Sequence, residues 1–196
     1  MEKKADEDKV TVDAYHGTAE AYKDSILRTK KFKASNEAND WAGSGIYFFV
    51  DEAEEKLVEK CILWSKVIRK YKTTAIIKVL IEIDKDKLLD LTKREQQDVF
   101  HKYRAYLFDK VNVVSRNTGR ELKESYASKR TMDCLTINQI CKEFNFEAVK
   151  REAYINFHKK EVKENELYPN SDIPNVTMIS LRNQEYIKEW GECNVK

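Results

Sequence analysis

Apolar residues along this chain follow two periods and switch between them. VTVDAYH at 10–16 alternates and carries β-branched residues, which predicts a strand. Residues 19–30 predict a helix with Ile26 and Leu27 turned inward, and the polar stretch 33–44 predicts a loop. GIYFFV at 45–50 reads as a short apolar strand. Asp51 is a suitable N-cap for the next helix, with Glu52, Glu54 and Glu55 at its positive end. That helix is expected to reach about Lys72, with Leu57, Cys61, Trp64 and Ile68 on one stripe. TAIIKVLIEID at 74–84 is the strongest strand signal.

Further on, 93–111 predicts an amphipathic helix carrying Val99, Tyr103, Tyr106 and Leu107. Helices follow over 118–128 and over 136–145, the latter with Ile137, Ile140, Cys141 and Phe144 inward. Residues 147–157 and 176–182 read as strands, with Ile187 packing after the second. The polar stretch 158–174 between them, ending in two prolines, predicts a long loop. Strands and helices do not alternate one for one, and neither GxGxxG nor GxxxxGK[ST] occurs. The pattern disfavours Rossmann and P-loop folds and predicts a single α+β domain over 10–196. Residues 1–9 are expected to form a disordered tail and 85–131 a helical, basic insertion.

Composition narrows the class. Hydrophobic residues at 41% supply a core despite 36% charged residues, so wholesale disorder is excluded. No apolar run approaches the roughly 20 residues of a membrane span. The first nine residues lack the apolar stretch of a secretory signal, which predicts a cytoplasmic protein. Cys61, Cys134, Cys141 and Cys193 form no CxxC pair and only three histidines accompany them, so no metal site is expected and the thiols are read as reduced. The net charge of +2 hides a segment, 102–130, with eight Lys or Arg against three acids and interleaved aromatics. Its alternatives are a solvated face on two helices or a track for phosphates and bases; on the second, Lys102, Arg104, Arg116, Arg120, Lys129 and Arg130 are the nucleic-acid contacts.

Glycine is scarce, and three of its five copies fall in two short motifs. Tyr15-His16-Gly17-Thr18 is placed at a strand end, where glycine lets a planar group reach backbone N–H and C=O. Trp41-Ala42-Gly43-Ser44-Gly45-Ile46-Tyr47-Phe48-Phe49 turns tightly before an aromatic strand and offers Tyr47 for ring stacking. These two motifs, in this order, resemble the NAD-binding half of the diphtheria-toxin-like ADP-ribosyltransferases, which include the poly(ADP-ribose) polymerases. Ile179-Ser180-Leu181-Arg182-Asn183 followed by Ile187 resembles the last strand of small bacterial members. The resemblance implies two packed, mainly antiparallel sheets with flanking helices and NAD as substrate, with no metal.

The resemblance also assigns roles. His16 would hydrogen-bond a ribose hydroxyl and Gly17 would hold the carboxamide through its backbone. Thr18, Ser44 and Gly45 would shape the cofactor pocket, and Tyr47 would stack on nicotinamide. Cleavage of the nicotinamide–ribose bond passes through an oxocarbenium-like state that needs a carboxylate. At the family's glutamate position this chain carries Met178, which can neither stabilise charge nor hold a hydroxyl. Glu152, where relatives often keep a glycine, is the nominated catalytic carboxylate; Glu147, Glu161 and Glu164 are the others considered. The implied function is a toxin of a toxin–antitoxin or phage-defence system. It would move ADP-ribose to a macromolecule, RNA ahead of protein, with an antitoxin as partner. The rivals are an NAD-using RNA 2′-phosphotransferase and a non-catalytic module binding NAD, ADP-ribose or a partner protein.

Overall fold

A computed structural model describes residues 8–118, 128–157 and 171–193, with side chains in the first long helix followed only to residue 113. The chain is mixed α/β. Seven strands form one hydrogen-bonded sheet: β1 (Lys9–Ala19), β2 (Ile46–Val50), β3 (Thr74–Asp84), β4 (Leu88–Asp90), β5 (Ala148–Ala153), β6 (Val176–Leu181) and β7 (Ile187–Cys193). Their order is β4-β5-β6-β2-β1-β3-β7. Every pair is antiparallel except β4–β5. Among the described residues the α-helices are α1 (Glu20–Thr29), α2 (Glu54–Leu63), α3 (Arg94–Thr118) and α4 (Lys129–Phe144). None of the described helices is long and apolar enough to cross a membrane.

The expected pair of sheets is therefore one continuous sheet, but its halves are joined by very little. β1 and β3 are in register over eleven residue pairs, whereas β1 and β2 meet only at Tyr15↔Phe49. The inner faces share one buried cluster. Ala148, Ile179 and Leu181 come from one half, and Ile77, Val79, Ile81 and Ile187 from the other. A sheet can bury both ends in one cluster only by folding across that seam. On the outer faces, α2 covers Tyr15, Phe49, Ile76 and Met178, while α4 and Phe100 of α3 cover Leu89 and Val149.

Several boundaries differ from the sequence reading. Lys9 is already in β1, which continues to Ala19, and residues 1–7 of the expected tail lie outside the described residues. His16 therefore lies inside the strand, not at its end. Asp51 does not cap α2: it takes a left-handed φ of 65°, its carboxylate pairs with Lys150 at 2.5 Å, and the N-cap is Ala53. The helix expected to reach Lys72 changes into a π-helical turn at Trp64–Ile68. In α3 Phe100 is buried and Tyr103 packs half-buried against the same core, while Val99 and Tyr106 point to solvent; in α4, Phe144 is also exposed. The segment 85–131 contains β4 as well as helix, and the helix expected over 118–128 lies almost wholly outside the described residues.

Candidate functional site

Beyond Tyr15↔Phe49 the strands β1 and β2 part, and the gap is bridged by a side chain. The His16 Nδ1–H donates to the Tyr47 carbonyl at 2.8 Å. The imidazole packs at 4.8 Å from Phe32 and 5.7 Å from Phe48, centroid to centroid. Burial lowers the His16 pKa against the smaller opposing effect of the Tyr47 bond, so the ring is neutral at pH 7 and Nε2 is its acceptor.

A pocket of about 40 Å³ occupies the parting of the strands. Its walls are Tyr15, His16 and Gly17 from β1, Tyr47, Phe48 and Phe49 from β2, and Trp41, Trp64, Ile155 and Met178 from around them. It is an aromatic box with few polar groups. The Tyr47 hydroxyl does not point into solvent: it accepts from the Ala42 N–H at 2.8 Å and donates to the Gly43 carbonyl at 2.5 Å. Burial raises its pKa, so it stays a neutral clamp on the Trp41–Gly43 segment.

The glycines have packing reasons of their own. A Cβ on Gly17 would stand 2.5 Å from the Cys61 carbonyl oxygen of α2, and one on Gly45 2.2 Å from Ser180 Oγ. Gly43, at φ +71°, would meet Asn138 and Arg182. Thr18, Ser44 and Gly45 do not line the pocket. Thr18 is buried in β1. Ser44 donates its N–H to Asn138 Oδ1 at 2.8 Å and its hydroxyl to Asn36 Oδ1 at 2.7 Å, so it ties the loop to α4.

Glu152 does not line this pocket. Side chains alternate across a strand, and the neighbours of Glu152 in β5, Arg151 and Ala153, face α4 and α2. Glu152 is paired with Thr177 on the opposite face and is exposed. Met178, one step along β6, is buried in the pocket wall. None of the described lining residues is a carboxylate. Glu147 is not among them, and Glu161 and Glu164 lie outside the described residues.

The basic segment is also rearranged. Lys102 and Lys129 are exposed, but Arg104 donates from Nε to Asp133 Oδ1 at 2.8 Å. The other oxygen of Asp133, which is 7% exposed, accepts from Arg151 Nη2 at 3.0 Å. Arg151 Nη1 then donates to the Trp41 carbonyl at 2.8 Å, and the Arg130 guanidinium lies 4.6 Å from the Trp41 ring centroid. Arg120 and the Arg116 side chain lie outside the described residues.

Sequence reasoning put Trp64 on a helix stripe but not in the pocket, and it singled out neither Ile155 in the wall nor Ser65 behind Gly17. Ser65 Oγ is buried without a hydrogen-bond partner, and a Cβ on Gly17 would come within 2.7 Å of it. It could have been found from the helical spacing that puts it one turn after Cys61. Burial pushes the Cys61, Cys134 and Cys141 thiols up, Cys141 to about 11, which keeps them protonated and unreactive. No group of three or more His, Cys, Asp or Glu among the described residues could hold a metal ion.

Comparison with known proteins adds little chemistry. No family model and no solved structure matches the chain. It is similar to the uncharacterized protein MJ0359 of Methanocaldococcus jannaschii, 33% identical over 94 residues. That match covers 46% of this chain and 42% of the relative, so the chain spans less than half of the protein it resembles.

Proposed function

We propose that this chain binds a flat, electron-poor ring, the nicotinamide of NAD, in the aromatic pocket between β1 and β2, in the manner of an ADP-ribosyltransferase scaffold. The observation that carries the reading is the parting of the strands after Tyr15↔Phe49, which gathers His16, Gly17, Tyr47 and Trp41 around one space. Aromatic walls suit an electron-poor ring, and His16 Nε2 suits a hydroxyl donor such as a ribose.

Binding requires the pocket to open. An apolar cavity that holds benzene measures roughly 150 Å³, against about 40 Å³ in this pocket. Trp41 and Ile155 are the wall residues on loops, outside the strands and helices, and Trp41, the larger of the two, is the side chain that yields.

Transfer of ADP-ribose needs more: a carboxylate near the ribose, which the described lining residues do not supply. The reading is therefore a binding module first. Toxin action on RNA or protein follows only if transfer occurs, with a carboxylate supplied from outside the described lining. The test is calorimetric titration with NAD and with nicotinamide, beside incubation with labelled NAD and cell lysate. Binding lost in His16→Ala and kept in Glu152→Gln is expected, with NAD intact and no label transferred. Absence of NAD and nicotinamide binding by the wild type overturns the proposal. Label on a macromolecule establishes transfer and refutes the non-catalytic form of the reading.

A further inference from the structure

Arg104, Arg130 and Arg151 come from three elements, α3, α4 and β5, and converge on one carboxylate and one ring. Asp133 takes a hydrogen bond from Arg104 on one oxygen and from Arg151 on the other. Arg151 also holds the Trp41 carbonyl, and Arg130 lies over the Trp41 indole. Among the described residues the cluster therefore sets three guanidinium charges against the single carboxylate of Asp133, and Arg130 touches a ring rather than an acid. Asp40, beside Trp41 in the chain, is occupied by the Ser35 hydroxyl and the Glu37 N–H. Lys129 and Arg130 stand in the first turn of α4, which holds no acid. Cations there oppose the helix dipole, and an anion would relieve both imbalances.

We propose that this cluster is an anion site at the mouth of the ring pocket, and that it takes the diphosphate of the nucleotide whose ring enters beside Trp41. The proposal rests on the pocket reading above for what the ligand is, but not for the anion site itself. Trp41 connects the two, because its indole walls the pocket and carries Arg130. A diphosphate engaging Arg130 would draw the guanidinium off the indole and free Trp41 to move, so anion binding and pocket opening are coupled. The basic residues Arg104 and Arg130 then serve a small ligand rather than an extended nucleic-acid track.

Calorimetric titration of the whole chain with inorganic pyrophosphate tests this. Arg130→Ala is the informative variant because among the described residues Arg130 meets a ring, not the buried Asp133; circular dichroism checks its fold. The expected result is pyrophosphate binding weakened roughly tenfold or more in Arg130→Ala and partly restored in Arg130→Lys. Lys142→Ala, an exposed position in the last turn of α4, is expected to bind as the wild type does. No binding by the wild type, unchanged binding in Arg130→Ala, or an equal loss in Lys142→Ala overturns the site. Nicotinamide titrated separately reads the ring pocket. Pyrophosphate binding without nicotinamide binding supports the anion site and ends the ring reading, and the reverse result ends the anion site alone.

Discussion

Gly17→Ala separates a packing role from a ligand role at the centre of the first motif. The new Cβ would lie 2.5 Å from the Cys61 carbonyl oxygen, 2.7 Å from Ser65 Oγ and 3.1 Å from the Cys61 carbonyl carbon. The first distance is about 1 Å short of an ordinary non-bonded contact. The Ser65 hydroxyl can rotate away, but the carbonyl belongs to the α2 backbone and cannot. β1 is pinned behind Gly17 by its pairing with Ile76, so α2 must shift. Overpacking of this kind costs about 1–3 kcal/mol. For a chain of this size each kcal/mol lowers the melting temperature by about 2–4 °C, so a fall of about 2–12 °C is expected. Gly191→Ala is the control, since its nearest neighbour would be the Lys78 carbonyl at 3.9 Å, an ordinary contact. It should stay within about 0.5 kcal/mol of wild type. Thermal and urea denaturation followed by circular dichroism measure both. Wild-type stability in Gly17→Ala, or an equal loss in Gly191→Ala, would refute the packing argument and return Gly17 to a ligand role alone.

Three further outcomes are expected. The His16 pKa is depressed in the folded chain from its ordinary 6.5. Its contribution is therefore complete above pH 6.5 and is lost as pH falls below that value, where the unfolded chain takes up the proton first. Urea titrations from pH 7.5 to 5 should show a shallower decline in His16→Gln, and identical slopes would contradict the assignment. Asp133→Asn removes the charge shared by Arg104 and Arg151 and should destabilise the chain by about 2–3 kcal/mol, the lower range because both arginines are partly exposed; an unchanged urea midpoint would contradict this. Glu152→Gln should change stability by less than about 0.5 kcal/mol and leave NAD affinity unaltered, and a measurable loss of either would reopen the question of its face.

The alternating strands β1 and β3 were legible in the sequence because one face is more exposed than the other over part of their length, and β2 and β6 because both their faces are covered. β7 was not: IKEWGEC lies at a sheet edge, and its mostly exposed positions leave only Ile187 and Trp190 as apolar marks. The start of α4 was hidden because Thr131, Asp133 and Thr136 sit at buried positions, the aspartate held there by arginines distant in sequence. The family resemblance put His16 and Tyr47 at one site, but the bond from the imidazole to the Tyr47 carbonyl was not legible, because a main-chain acceptor leaves no mark in the sequence. The placement of Glu152 outside the pocket was not legible: Ala148 and Tyr154 make the even positions of β5 and its continuation partly apolar too, and only the packing of Val149, Ala153 and Ile155 shows that the helices cover the odd face. The arginine cluster was visible only as local charge, because nothing in 102–130 announces that its partners are Trp41 and Arg151.

The seam between β1 and β2 has a consequence for amide exchange. A continuous ladder protects its amides as one cooperative unit, but here the two halves are joined at Tyr15↔Phe49 and by one imidazole. Separating them breaks few backbone bonds and resists mainly through shared apolar packing. Exchange should therefore divide the sheet into two protection classes along this line, β1-β3-β7 and β5-β6-β2. A ligand wedged between the two would raise protection in both classes together, making one cooperative body out of two.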